Sequence, residues 1–141
     1  MNLFAMLLAV LAGIFTTIES SINSQLGKYL TPSIATLHSL IVGMTFMLFL
    51  NIFLGNIPRY AKVTSVNPIW LIGGFFGAFI IYLSSKAIPN LGISNTLILI
   101  LAGQMVSGLL IDALINNAEI SIKKMAGMIL FLTGAVIFLQ E

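Results

Sequence analysis

Residues 3–27 read LFAMLLAVLAGIFTTIESSINSQLG, and this stretch decides the fold. From Leu3 to Ile18 it carries no charge, and the whole run exceeds the roughly 20 residues an apolar helix needs to cross a bilayer. One carboxylate stands inside it, Glu19, with only Ser, Thr, Asn and Gln as polar company. A carboxylate there costs free energy unless it is protonated, paired or turned to water, so it marks a functional position. At a rise of about 1.5 Å per residue, Glu19 lies about 6 Å from the centre of a helix over 3–27. If the bilayer instead ends near Ser21, the same residue is interfacial.

Composition extends this reading to the whole chain. The 141 residues are 59% hydrophobic and 7% charged, with a mean hydropathy of +1.11. A soluble domain carries roughly a quarter of charged residues to cover its surface, so this chain is solvated by lipid. A net charge of +2, with no basic run longer than Lys123-Lys124, excludes a nucleic-acid footprint. The chain has no cysteine, which excludes disulfides, thiol catalysis and Cys-ligated metal. The opening Met1-Asn2-Leu3 lacks the basic start of a signal peptide, so the first segment reads as a retained helix.

Further apolar segments over 33–54, 68–86, 93–115 and 123–139 bring the expected count to five transmembrane helices in a single domain, 1–141. None alternates polarity with the period of two that barrel strands require. The expected fold is therefore all-α and polytopic, with a multi-pass location in the cytoplasmic (inner) membrane. Short loops make neighbouring helices antiparallel hairpins. The longest connection, 55–67, carries Arg59, Tyr60 and Lys62 and is too short for a domain; Tyr60 and Trp70 flank a segment end as interface aromatics do.

With five helices the two ends lie on opposite sides. One side receives Arg59, Lys62, Lys123 and Lys124, the other Lys28 and Lys86. This mild positive-inside bias leaves two readings: a single orientation with the N-terminus inside, or insertion both ways to give an antiparallel homodimer. Size favours the second, because carriers are commonly built from inverted repeats around a midplane site and this chain has only half of such a device.

On the first helix Ala12, Thr16, Glu19 and Asn23 share one stripe, with Ser20 beside it. A carboxyl held away from water can keep a proton and release it when a cation arrives, which is the chemistry of a proton-coupled carrier. The competing reading is a carboxyl at the water boundary, satisfied by Asn23 and serine hydroxyls. On the fourth helix Gln104, Gly108 and Asp112 stand at i, i+4 and i+8 beside Gly103 and Ser107. Gln104 reads equally as substrate-lining or as a bond between helices. Asp112 reads as an interfacial acid. His38, one and a half turns from Pro32-Ser33, and Lys86, at a helix end, also read as interfacial. Gly73 and Gly77, a small-xxx-small pair, and Gly127 and Gly134 suit helix packing, as do Gly103 and Gly108. No metal-ligand spacing is visible.

The ordered set Ala12-Gly13, Glu19, Asn23, Leu26-Gly27, Ser39, Gly43, Trp70, Gly73-Gly74, Gly77, Pro89, Leu91-Gly92, Gly103-Gln104, Ser107, Asp112, Gly127 and Gly134 resembles the YdcZ-type branch of the drug/metabolite transporter superfamily. The resemblance covers nearly the whole chain. It implies a five-helix half-transporter that works as a dimer, in the manner of small multidrug resistance proteins, with Asn23, Gln104 and Ser107 lining the cavity. Fused family members carry both halves in one chain, which favours the antiparallel arrangement. At Glu19 the chain departs from the glutamine usual in that branch, so the acid is a local specialisation.

Two classes of function follow. The first is a secondary transporter, proton-coupled or cation-exchanging, that moves a small organic solute by alternating access as a homodimer. Its substrate-binding and proton-binding residues are then Glu19, Asn23, Gln104, Ser107, Thr16 and Ser20. The second is a structural or regulatory membrane subunit, which has no need of Glu19, Asn23 and Gln104 together. A channel would call for rings of like residues. No nucleophile–base pair or cofactor motif is visible, so an enzyme is not expected.

Overall fold

The computed structural model describes residues 2–140. Among them are six α-helices: α1 (Leu3–Tyr29), α2 (Pro32–Phe53), α3 (Ile57–Tyr60), α4 (Gly73–Leu91), α5 (Ile93–Leu114) and α6 (Ile122–Phe138). Two 3-10 turns, Ala61–Ser65 and Pro68–Ile72, lie between α3 and α4, and no strand occurs among the described residues. Four helices are long and apolar enough to cross a membrane: α1, α2, the continuous run Pro68–Leu91, and α5. The chain is an all-α multi-pass membrane protein. With 17 residues, α6 is shorter. It reaches about 26 Å against a hydrocarbon core of about 30 Å. The fifth span thus remains a reading of the sequence, and α6 would need local thinning of the bilayer or anchoring at its ends.

The chain divides into two compact units, Met1–Asn90 and Leu91–Glu141. In the first, α1 and α2 form a hairpin. The link is two residues long: Thr31 caps α2 by accepting the Ile34 N–H (3.2 Å), and Pro32 takes the first turn, where its missing N–H costs nothing. At the far end of α2 the chain leaves through Gly55, whose φ of +67° is left-handed. There the Asn56 N–H donates to the Asn51 carbonyl (2.9 Å) and the Gly55 N–H to that of Ile52 (3.1 Å), which is the paired bonding of a Schellman stop. Helix α4 runs past Pro89 to Leu91, beyond the expected limit of 86. Pro89 lies inside this helix and has no N–H to return to the Ser85 carbonyl, while the Asn90 side chain donates to the next carbonyl, that of Lys86 (3.2 Å).

The interior of this unit is small and polar. Its buried residues are Ser20, Asn23 and Ser24 on α1, Ala35 and Thr36 on α2, and Ser84, Ser85 and Ile88 on α4. Most large apolar side chains face outward, Phe53 to 88%. Lipid is as apolar as leucine, so hiding a large side chain between helices gains little, while small residues let backbones approach. Two of the five buried hydroxyls are satisfied one turn back: Thr36 donates to the Pro32 carbonyl (2.7 Å) and Ser84 to that of Ile80 (2.6 Å).

In the second unit α5 and α6 form another hairpin. Gly92, at φ +81°, caps α5, and Thr96 returns both its N–H (3.2 Å) and its hydroxyl (2.7 Å) to the Gly92 carbonyl. Asn117, at φ +48°, turns the chain out of α5, and the Ala118 N–H donates to the Asp112 carbonyl (2.9 Å). Ser121 caps α6 through the Lys124 N–H (3.3 Å).

The glycines expected to pack helices have a different setting. Within its own unit, no described atom beyond the local helix backbone and chain neighbours comes within 4 Å of a Cβ built at Gly73, Gly77, Gly103, Gly108, Gly127 or Gly134. Close approach within the chain is made by Ser, Thr and Ala, and these glycine faces stand open.

Candidate functional site

The helical period places residues 12, 15, 16, 19, 22, 23 and 26 on one face of α1, and that face meets 38, 39, 42, 43 and 46 of α2 across a groove of about 770 Å³. Ala12, Thr16, Glu19 and Asn23, the stripe singled out in the sequence, all line it. The two helices are joined there by a short relay. The Ser39 hydroxyl donates to Oε1 of Glu19 (3.2 Å) and accepts from Nδ2 of Asn23 (3.2 Å). Asn23 is buried, Ser39 half-buried and Glu19 exposed within the groove. Around this polar centre the walls are apolar, from Phe15, Ile18 and Ile22 on α1 to Val42 and Phe46 on α2.

Such an arrangement presents a single carboxylate on a hydrophobic wall, held from behind by a hydroxyl and an amide. It can accept a proton or a cationic group, with the aromatic and aliphatic walls taking the remainder of a small organic molecule. Thr16 spends its hydroxyl on the Ala12 carbonyl (2.9 Å) and offers mainly its methyl group to the groove. Ser20 is buried behind it and is absent from the lining.

Gln104 and Ser107 belong to the second unit. Gln104 lines a groove of about 490 Å³ between α5 and α6, shared with Gly108, Asp112, Lys123, Lys124 and Gly127. Ser107 is not in that lining; its hydroxyl donates to the Gly103 carbonyl (2.6 Å). Asp112 accepts from the Asn116 side chain (3.1 Å), as an acid near a helix end does.

Two polar residues of the groove stand outside the site residues expected from the sequence. Ser39 appeared only within the family resemblance, and His38 was read as interfacial, yet both line the α1–α2 groove. The available signal was the spacing Ser39, Gly43, Phe46 on α2, which repeats the helical face of α1. Ser39→Ala breaks both bonds of the relay. Interhelical bonds in membranes are worth about 0.5–2 kcal/mol, and a loss of about 1 kcal/mol is expected in a detergent unfolding titration. Ser39→Thr should retain most of the stability.

Apolar spanning helices with a polar, carboxylate-bearing groove define a small polytopic membrane protein of the transporter kind. Over residues 4–137 the chain matches the family model DMT_YdcZ, described as "Putative inner membrane exporter, YdcZ". The chain belongs to this family, and the resemblance carried by its ordered glycines and polar residues is thus a membership. It is a multi-pass inner-membrane transporter. No curated protein and no solved structure gives a match.

Proposed function

We propose that two copies of this chain form one secondary transporter, in which Glu19 of each binds either a proton or a cationic organic solute, in alternation. The observation that carries this reading is the Glu19–Ser39–Asn23 relay in an open groove between α1 and α2. An acid on an apolar wall within a spanning helix needs a counterpart from outside its own hairpin. A second copy would cover the groove and enclose a shared chamber, and rocking one half against the other gives alternating access. The uncovered glycine faces of α4, α5 and α6 supply surfaces on which backbones of two copies can meet closely. The loop charge bias, four basic residues against two, is mild enough to permit insertion both ways, and the size of the chain, half of an inverted-repeat carrier, favours the antiparallel arrangement.

Orientation is tested by single cysteines placed at Asn2 and at Glu141, the latter outside the described residues, since the native chain has no cysteine of its own. With a membrane-impermeant maleimide, each site is expected to label from both sides of the membrane, and cross-linking should trap a two-copy species. Labelling from one side alone would refute dual insertion, and a strictly single-copy particle would refute the shared chamber.

A further inference from the structure

Where α2 ends, the Schellman stop at Gly55 folds the following short helix back toward it and leaves a second groove, of about 650 Å³. Met44, Met47 and Leu48 of α2 make its apolar wall, and Asn51, Asn56 and Arg59 make a polar rim. The rim is braced from within. Nδ2 of Asn51 donates to the Met47 carbonyl (2.8 Å), and Nη1 of Arg59 donates to Oδ1 of Asn56 (3.1 Å). That bond uses one of the five N–H donors of the guanidinium.

Arg59 has no acid to meet in its own unit. Glu19 is the single carboxylate among residues 1–90, and it lines the α1–α2 groove, bonded to Ser39. Lys62, three residues on, is outside the lining, so the positive charge of the rim is that of Arg59. The groove therefore pairs a long apolar wall with a cationic rim at the end of a spanning helix. Its complement is an amphiphile with a negative head, and the bilayer supplies one. Arginine holds phosphate oxygens in two-point geometry, and methionine walls adapt to a flexible chain. We propose that this groove binds an anionic phospholipid, its phosphate on Arg59 and an acyl chain along Met44 and Met47. The site is independent of the carboxylate groove and of any transport activity.

The test is native mass spectrometry of the delipidated full chain in detergent, titrated with phosphatidylglycerol and with phosphatidylcholine of the same acyl chains. Phosphatidylglycerol adducts should form about fivefold more readily, the preference expected of one interfacial arginine. Arg59→Gln should reduce that preference to within about twofold, while Arg59→Lys, which keeps the charge and loses the two-point geometry, should fall between the two. Met47→Trp, which fills the apolar wall, should lower uptake of both lipids. Equal uptake of the two lipids by the native chain, or an undiminished preference in Arg59→Gln, would overturn the site. Displacement of bound lipid by millimolar glycerol phosphate would show that a soluble phosphate, and not a lipid, is the occupant.

Discussion

Glu19→Gln is expected to lower solute-driven proton movement in proteoliposomes at least about tenfold, with the protein still folded. Glutamine has nearly the volume of glutamate, and its Oε1 can accept from Ser39 as the carboxylate does. The hairpin should therefore survive. What is lost is a charge on an apolar wall. A unit charge about 4 Å from a cation is worth about 4 kcal/mol at the effective dielectric of a protein surface, and each 1.4 kcal/mol is a factor of ten in binding. Even after desolvation removes most of that energy, a tenfold loss remains. The measurement is pyranine fluorescence in vesicles given a gradient of an organic cation, with unfolding followed in parallel. Unchanged proton movement in the variant would remove Glu19 from coupling. Glutamine is the residue that the family resemblance gives as usual at this position, so the variant also asks whether a neutral-solute route persists without the acid. Continued movement of an uncharged solute by Glu19→Gln, with proton movement gone, would separate the two activities.

What could be read from the sequence follows from how membrane helices are made. Long apolar runs announce α1, α2, α5 and the stretch that begins at Pro68 directly, because the bilayer demands them residue by residue. The stripe Ala12, Thr16, Glu19, Asn23 was legible because a polar residue in such a run stands out and its helical spacing is fixed. Pairing was harder to read. Which face of α2 meets that stripe depends on the two-residue link at Leu30–Thr31; the spacing Ser39, Gly43, Phe46 marks one face of α2 without saying that this face borders a groove. The turn at Gly55 and the short helices after it were equally hidden, since residues 55–67 have no sustained period. The glycines give a different kind of signal. Small-xxx-small spacing states that a helix can be approached closely, and says nothing of whether the approaching backbone belongs to the same chain. Within each unit the contact surfaces were taken by serine and threonine, residues that ordinary composition counts as polar. In lipid they act as small surfaces, their hydroxyls returned to their own helices at Thr36, Ser84 and Thr96.

That inversion makes Ser24 and Ser85 the positions where substitution should hurt most. Each is 1% exposed, and neither hydroxyl has a hydrogen-bond partner among the described residues. The two side chains are therefore present for their size. Ser24→Leu and Ser85→Leu enlarge the side chain and branch it at Cγ where both positions are 1% exposed, and overpacking of that kind costs about 1–3 kcal/mol. A soluble core recovers part of such a cost through added burial, but lipid is no worse a solvent for leucine than the protein interior, so nothing offsets it here. The alanine variants should behave in the opposite sense. Removing a buried hydroxyl that has no partner also removes its desolvation penalty, so Ser24→Ala and Ser85→Ala should match or exceed the native chain by up to about 1 kcal/mol. An outward-facing control fixes the scale: Leu7, 55% exposed on α1, should tolerate alanine with little change. Unfolding in mixed micelles, followed by far-UV circular dichroism, ranks the five variants. If both leucine variants unfold with the native chain while Leu7→Ala does not, the apolar outer surface carries the packing and the small polar interior is not what holds these helices together.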